Sequence, residues 1–213
     1  MKPKILLLQL TFSFLFLLTI TSCDGLLKKS PEDTVVGLQP YEDFPQPMMD
    51  TIAEALQKVY GFQVKILPSK ALPESAFVNL KTPRYRADTI LDVQERNLPE
   101  GLDYMLGLTE KDISTTVYDD DGNIQKPHYK YEDWGIFGLG SRPGPTCVVS
   151  VFRFVDKKNF YDRLKKICVH EVGHNIGLPH CDSEHCVMRD ANEKITSVDD
   201  EKMELCKKCK KRL

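Results

Sequence analysis

Seven side chains spread over positions 170 to 209 have to converge into two tight clusters, and few folds allow that. Residues 170–188 read HEVGHNIGLPHCDSEHCVM. A helix turns about 100° per residue, so His170 and His174 share one face and can aim their imidazoles at a single ion. Glu171 follows the first of them and falls beside that ion, in reach of a water without being a ligand. His180 is too far along to share the face. The helix must therefore stop and the chain turn back. Gly177 accepts positive φ at a helix C-terminus, and Pro179 cannot continue a helix.

Three protein ligands leave one coordination position open, the mark of a catalytic zinc. Zinc lowers the pKa of a bound water to about 7. Glu171 is the candidate general base, taking the water's proton and returning it to the leaving amine. A helix that merely carries histidines has no use for Gly177 and His180 at these offsets. A fully ligated structural zinc would leave Glu171 without a task.

The cysteines are Cys23, Cys147, Cys168, Cys181, Cys186, Cys206 and Cys209. The spacing Cys181-x4-Cys186, then Cys206-x-x-Cys209, reads as a tetrahedral four-thiolate zinc site. Its second half lies in a lysine-rich tail and not between a strand and a helix, which argues against a redox pair. Lys207, Lys208, Lys210, Lys211 and Arg212 would offset the charge of four thiolates. The alternative is two disulfides, favoured by an oxidising compartment. His185 is read as a surface histidine, with substitution for one cysteine ligand as the other option. Cys147 and Cys168 read as small buried residues, with a disulfide between them as the alternative. The expected cofactor is zinc, two ions per chain, one catalytic and one structural.

Residues 1–22 carry Lys2 and Lys4 followed by an apolar run too short and too broken by Gln9, Thr11 and Ser13 for a membrane span. They fit a secretory signal peptide. Ile20-Thr21-Ser22-Cys23 resembles a bacterial lipobox, which makes Cys23 the candidate lipidation site; ordinary cleavage and an uncleaved anchor are the alternatives. The expected location is the cell envelope, with a lipid-anchored N-terminus and tether at 23–46 and a folded domain at 47–213. The whole chain has 29 basic and 31 acidic side chains, and residues 1–22 contain two lysines and no acid. The processed chain would have a net charge of −4. That balance gives no support for nucleic-acid binding. A peptide or protein substrate and a membrane surface are the expected partners, for a monomer.

The tether assignment rests on Pro31, Pro40 and Pro45 and on sparse periodic apolar residues. Met48, Met49, Ile52, Ala55, Leu56 and Val59 recur at helical spacing up to a stop at Gly61. Residues 62–67 read as a strand, 84–98 as a second helix, and 102–108, 134–140 and 146–155 as strands. Residues 157–176 form the helix that bears the motif, and 196–206 a last short helix. This order is mixed α/β. Within 134–140, Gly138, Leu139 and Gly140 are the candidate edge at which an extended peptide could pair, with a plain hairpin arm as the alternative. Asp119-Asp120-Asp121-Gly122-Asn123 lacks the later glutamate of a calcium loop and reads as a solvated turn.

HEVGHNIGLPHC with Cys186, Met188, Cys206 and Cys209 resembles the extended signature of the archaemetzincins, HExxHxxGxxHCx4CxMx17CxxC, with every fixed position filled. These are a branch of the metzincin zinc peptidases. Less specific similarity extends through 103–113, 137–154 and 160–171, so the resemblance covers about residues 45–213. It implies His170, His174 and His180 as catalytic zinc ligands, Glu171 as general base and Met188 as the methionine of a turn beneath the site. It implies Cys181, Cys186, Cys206 and Cys209 as holders of a second zinc. It also implies a twisted mixed β-sheet with active-site and backing helices above the cleft and a small zinc-stapled C-terminal lobe below.

Three functions use these residues: a zinc-dependent peptidase, an amidase acting on peptide in cell-wall material, and a non-catalytic zinc-stabilised lipoprotein that binds peptides or a partner. Intact Glu171 favours an enzyme, because a binder has no need of a general base.

Overall fold

Val35–Pro40 forms strand β1, and all six of its residues are buried. In the computed structural model, which describes residues 29–154, 158–190 and 195–213, this strand lies inside a five-stranded sheet. The assignment of a tether at 23–46 is therefore corrected for its described part, 29–46: the folded domain begins before residue 35. A central parallel strand is covered on both faces, so it shows a short continuous apolar run and no alternation. VVGL is such a run, and the prolines on either side masked it. The export signal and Cys23 lie outside the described residues. Among the described residues no helix is long and apolar enough to cross a membrane.

The chain continues through helix α1 (Gln46–Tyr60), β2 (Gln63–Ile66), β3 (Phe77–Val78), β4 (Arg84–Arg86) and α2 (Ala87–Arg96). It then forms β5 (Tyr104–Thr109), β6 (Ile113–Thr115), a single turn α3 (His128–Tyr131), β7 (Trp134–Ile136), β8 (Gly138–Gly140) and β9 (Thr146–Ser150). Helices α4 (Phe160–Asn175), α5 (Ile195–Asp200) and α6 (Lys207–Lys210) complete it. The large sheet runs β2-β1-β5-β9-β8, parallel except for β8, which pairs antiparallel with β9 at one edge. A second sheet runs β3-β4-β6-β7. The fold is mixed α/β, as the order of elements implied.

Helices α1 and α4 pack on each other and cover one face of the large sheet. Ile52, Leu56, Leu164, Val169 and Val172 meet Val36, Leu38, Leu106, Leu108, Cys147 and Val149 there. Ala87, Ile90 and Leu91 of α2 cover the other face with Tyr41, Ile113 and Val148. The stop at Gly61 is as expected: it takes φ 76°, and its N–H bonds Gln57 O.

Three element assignments change. Residues 84–86 are a strand, not the first turn of α2, because Arg84 reaches Asp112 and Asp133 from an extended backbone at 2.8 and 3.0 Å. The continuous strand expected over 134–140 divides at Phe137. Trp134–Ile136 joins the small sheet through β6, and only Gly138–Gly140 belongs to the large one. The last helix ends at Asp200, and residues 201–206 leave it to bring Cys206 and Cys209 back to the body. The acidic run at 119–123 is an exposed turn closed by Asp119 and Asn123 backbone bonds, as read.

Leu38 separates a tether from a buried strand experimentally. Leu38→Ala is expected to lower unfolding stability by about 2–5 kcal/mol in urea titrations. A tether residue would show no change.

Candidate metal centre and active site

Helix α4 carries the motif because its apolar residues lie on the side turned to the sheet while His170, Glu171 and His174 line a cleft. The helix ends at the predicted glycine. Gly177 has φ 93°, its N–H bonds His174 O at 2.8 Å, and the Leu178 N–H bonds Gly173 O at 2.9 Å. This pair of reversed bonds is the Schellman ending, which only a residue tolerant of the left-handed region closes without strain. The reversed chain brings His180 back, so that one ring nitrogen from each of His170, His174 and His180 lies within 4.8 Å of the others.

Each ring is aimed by a second contact. His170 Nδ1 lies 2.8 Å from Val187 O, and His174 Nδ1 lies 2.8 Å from Leu178 O. A carbonyl only accepts, so both Nδ1 atoms carry the proton and both Nε2 atoms are lone-pair donors. Asp190 Oδ2 sits 3.4 Å from His180 Nδ1. Burial pushes His170 down to about 3, helped by the neighbouring His174, and lowers His174 as well. The His170 and His174 rings are therefore neutral near pH 7. Neutral imidazoles whose free nitrogens converge, each held by an outer acceptor, form the donor set that zinc takes.

Glu171 is buried, and burial pushes its carboxyl up to about 8. It packs on the edge strand. A Cβ on Gly138 would lie 2.7 Å from Glu171 Oε1, and one on Gly140 would lie 2.7 Å from Glu171 O. The glycines of β8 thus admit α4 itself, a reason for them that the sequence pattern did not show. Gly138, Leu139 and Gly140 line the same cleft of about 1220 Å³ as the three histidines, so the candidate edge and the metal site are one place. The hairpin reading also holds, since β8 and β9 are joined through residues 141–145.

Met188 lies under the helix. A Cβ on Gly173 would overlap Met188 Sδ and sit 2.8 Å from Tyr60 Oη. Tyr60 in turn donates to Val169 O at 2.8 Å, one residue before the first histidine. Gly173, Tyr60 and Asp190 belong to the site and were missed in the sequence. A glycine inside a helical pattern is the signal for Gly173. No local pattern marks Tyr60, which is 109 residues away from its partner.

The cysteines form the second cluster. Cys181 Sγ and Cys206 Sγ are 3.7 Å apart, and Cys186 Sγ and Cys209 Sγ 3.8 Å. Thiolates at about 2.3 Å around a tetrahedral zinc have S···S edges of roughly 3.8 Å. A disulfide needs about 2.05 Å. All four thiols are free, as are Cys147 and Cys168, so neither disulfide alternative is formed. The Cys206 N–H points to Cys186 Sγ at 3.4 Å, and the Cys209 N–H helps lower the Cys206 thiol to about 6. His185 is exposed and turned to Asp200 O, outside the four-sulfur group. The two clusters are wired together. The Cys181 N–H donates to Met188 O at 2.8 Å, the Val187 N–H to Glu204 O at 3.0 Å, and Val187 O is the acceptor that orients His170.

A family model described as peptidase family M54 matches residues 33–213, which include both clusters and strand β1. The chain belongs to peptidase family M54. The archaemetzincin of Methanocaldococcus jannaschii is 31% identical over 188 residues, covering 84% of this chain and 92% of that one. The archaemetzincin of Natronomonas pharaonis is 30% identical, covering 84% and 98%. The crystal structure of the Archaeoglobus fulgidus archaemetzincin complexed with malonate superposes with a TM-score of 0.66 at 26% identity, over 84% of this chain and all of that one. The Methanopyrus kandleri structure gives 0.66 at 27% identity, over 87% and 96%. This M54 protein is a zinc-dependent metallopeptidase that acts on peptide substrates. Neither the amidase nor the binding-protein alternative has comparable support.

Proposed function

We propose that this archaemetzincin relative holds two zinc ions. The first is held by His170, His174 and His180 for catalysis, the second by Cys181, Cys186, Cys206 and Cys209 for structure. The observation that carries the reading is the pair of Nδ1–H···O=C bonds that turns Nε2 of His170 and of His174 toward a common point beside a buried carboxyl. When bound there, zinc supplies Lewis acidity toward the scissile carbonyl and lowers the pKa of a bound water to about 7.

The chain's own residues do the rest. Glu171 accepts the proton of the attacking water and delivers it to the amine nitrogen as the C–N bond breaks. Burial alone would keep its carboxyl protonated below about pH 8, and a dication among the histidines reverses that by favouring the carboxylate. The outer edge of β8 offers backbone N–H and C=O groups along the cleft, and an extended substrate pairs there as an added strand. The cysteine zinc fixes the loop that delivers His180 and the Val187 acceptor, so it supports the catalytic ligands from behind. Residues 1–23 support export and lipid anchoring through Cys23, with the four thiolates shielded from oxidation by their metal.

Three measurements test this. Glu171→Gln is expected to keep two zincs per chain by mass and to lose about 10²–10⁴-fold in peptide hydrolysis; full retained activity would remove Glu171 as base. Cys209→Ser is expected to weaken zinc at the histidine site by about 10–100-fold, read by chelator competition. Unchanged affinity would break the coupling while leaving the peptidase intact. In an exporting host the full chain is expected in the detergent phase and Cys23→Ser in the aqueous phase; identical partitioning would remove the anchor.

A further inference from the structure

The cleft continues past the histidines along α4 toward that helix's N-terminus. Lys166 and Ile167 line it there, four and three residues before His170 and so about one helical turn from the metal ligands. Ile195, Val198 and Glu201 line it there too, where the Lys166 ammonium reaches Val198 O. Ile167, Ile195 and Val198 make this recess apolar. Glu201, just past the end of α5, is the acidic group in its wall. It is only 6% exposed, and its Oε1 has no hydrogen-bond partner among the described residues.

A buried carboxyl without a partner is costly unless something else completes it. The nearby cations do not. Lys166 directs its ammonium to Val198 O at 2.9 Å, Asp199 O at 3.2 Å and the Asp162 carboxylate at 2.7 Å, which uses all three donors. Arg189 donates to Glu184 O. Among the described residues neither is ion-paired with Glu201, and Asp190 and Asp200 add negative charge nearby. Burial accordingly pushes Glu201 up to about 7, against the pull of Lys166 and Arg189. A lysine or arginine side chain has the matching form, an apolar stem for the walls and a cationic tip for the acid.

We propose that Glu201 is the specificity-determining residue of this peptidase, selecting a lysine or arginine side chain next to the scissile bond. The proposal rests on the peptidase reading and places the selected side chain on the α5 side of the metal. An apolar side chain of equal length would fill the recess but leave Glu201 unpaired, and an acidic one would meet like charge.

The test profiles cleavage of a peptide library by the zinc-loaded enzyme and then compares matched lysine and norleucine peptides. The wild type is expected to favour Lys or Arg at one position flanking the cut. Glu201→Gln, at unchanged zinc content, is expected to lose about tenfold or more in kcat/KM for the lysine peptide, with the norleucine peptide little affected. Glu201→Arg is expected to transfer preference to Asp or Glu. Calorimetry of the same two peptides on zinc-loaded Glu171→Gln, with and without Glu201→Gln, reads the selectivity without turnover. An enzyme that cleaves nothing would therefore count against the peptidase reading alone. A wild type with no Lys or Arg preference in binding, or a Glu201→Gln variant with the wild-type preference, would overturn the role of Glu201.

Discussion

Three imidazole nitrogens have to meet at one point, and the helix that bears two of them cannot aim them alone. The carbonyls of Leu178 and Val187, in the chain just after the helix, take the Nδ1 protons of His174 and His170. Those carbonyls are in place because Gly177 reverses the chain and because Cys181 and Val187 are pinned by backbone bonds to Met188 and Glu204. The four-cysteine cluster closes that loop. The metal site is thus an assembly of one helix and the segment that folds back beneath it, and the first depends on the second for ring orientation.

Close packing of backbone against side chain is the second requirement. Gly138 and Gly140 on the edge strand let Glu171 lie flat against β8, and Gly173 lets Met188 and Tyr60 reach under the helix. A glycine within a helix costs roughly 1 kcal/mol in propensity relative to alanine. At Gly173 the space that a methyl group would take holds the methionine sulfur and the tyrosine oxygen that support the histidine turn. Glu171, strand β8 and the helix that carries the first two histidines are therefore fixed to one another at near-contact distance. Glu201 stands apart from that frame. Its side chain borders the same cleft, makes no hydrogen bond to the histidines or cysteines among the described residues, and in the proposal above selects what enters.

The metal ligands were legible in the sequence because their spacing encodes their geometry. An i, i+4 pair, a glycine at the left-handed position and two short cysteine pairs each specify a local shape, and local shapes survive into the fold. His170, His174, Gly177, His180 and the four cysteines all stand where their offsets require. The amphipathic spacing of α1 was equally direct, with Met49, Ile52, Ala55 and Leu56 all buried. Strand β1 was not legible. Its two faces are both covered, so it lacks the alternation that marks a half-buried strand, and the flanking prolines made it resemble a linker. The division of 134–140 between two sheets was hidden too, because strand propensity does not say which neighbour a strand will join.

Chemistry and cofactor class were thus determined by the sequence itself, since they depend on residue types at short, fixed separations. Only the tertiary structure decided which groups orient those residues. Tyr60 meets Val169 across 109 positions, Gly138 meets Glu171 across a sheet–helix contact, and Glu201 comes to face the cleft through the path of the chain after α5. Such contacts join residues far apart in the chain, and no local periodicity records them. They exist only once apolar burial has brought the elements together.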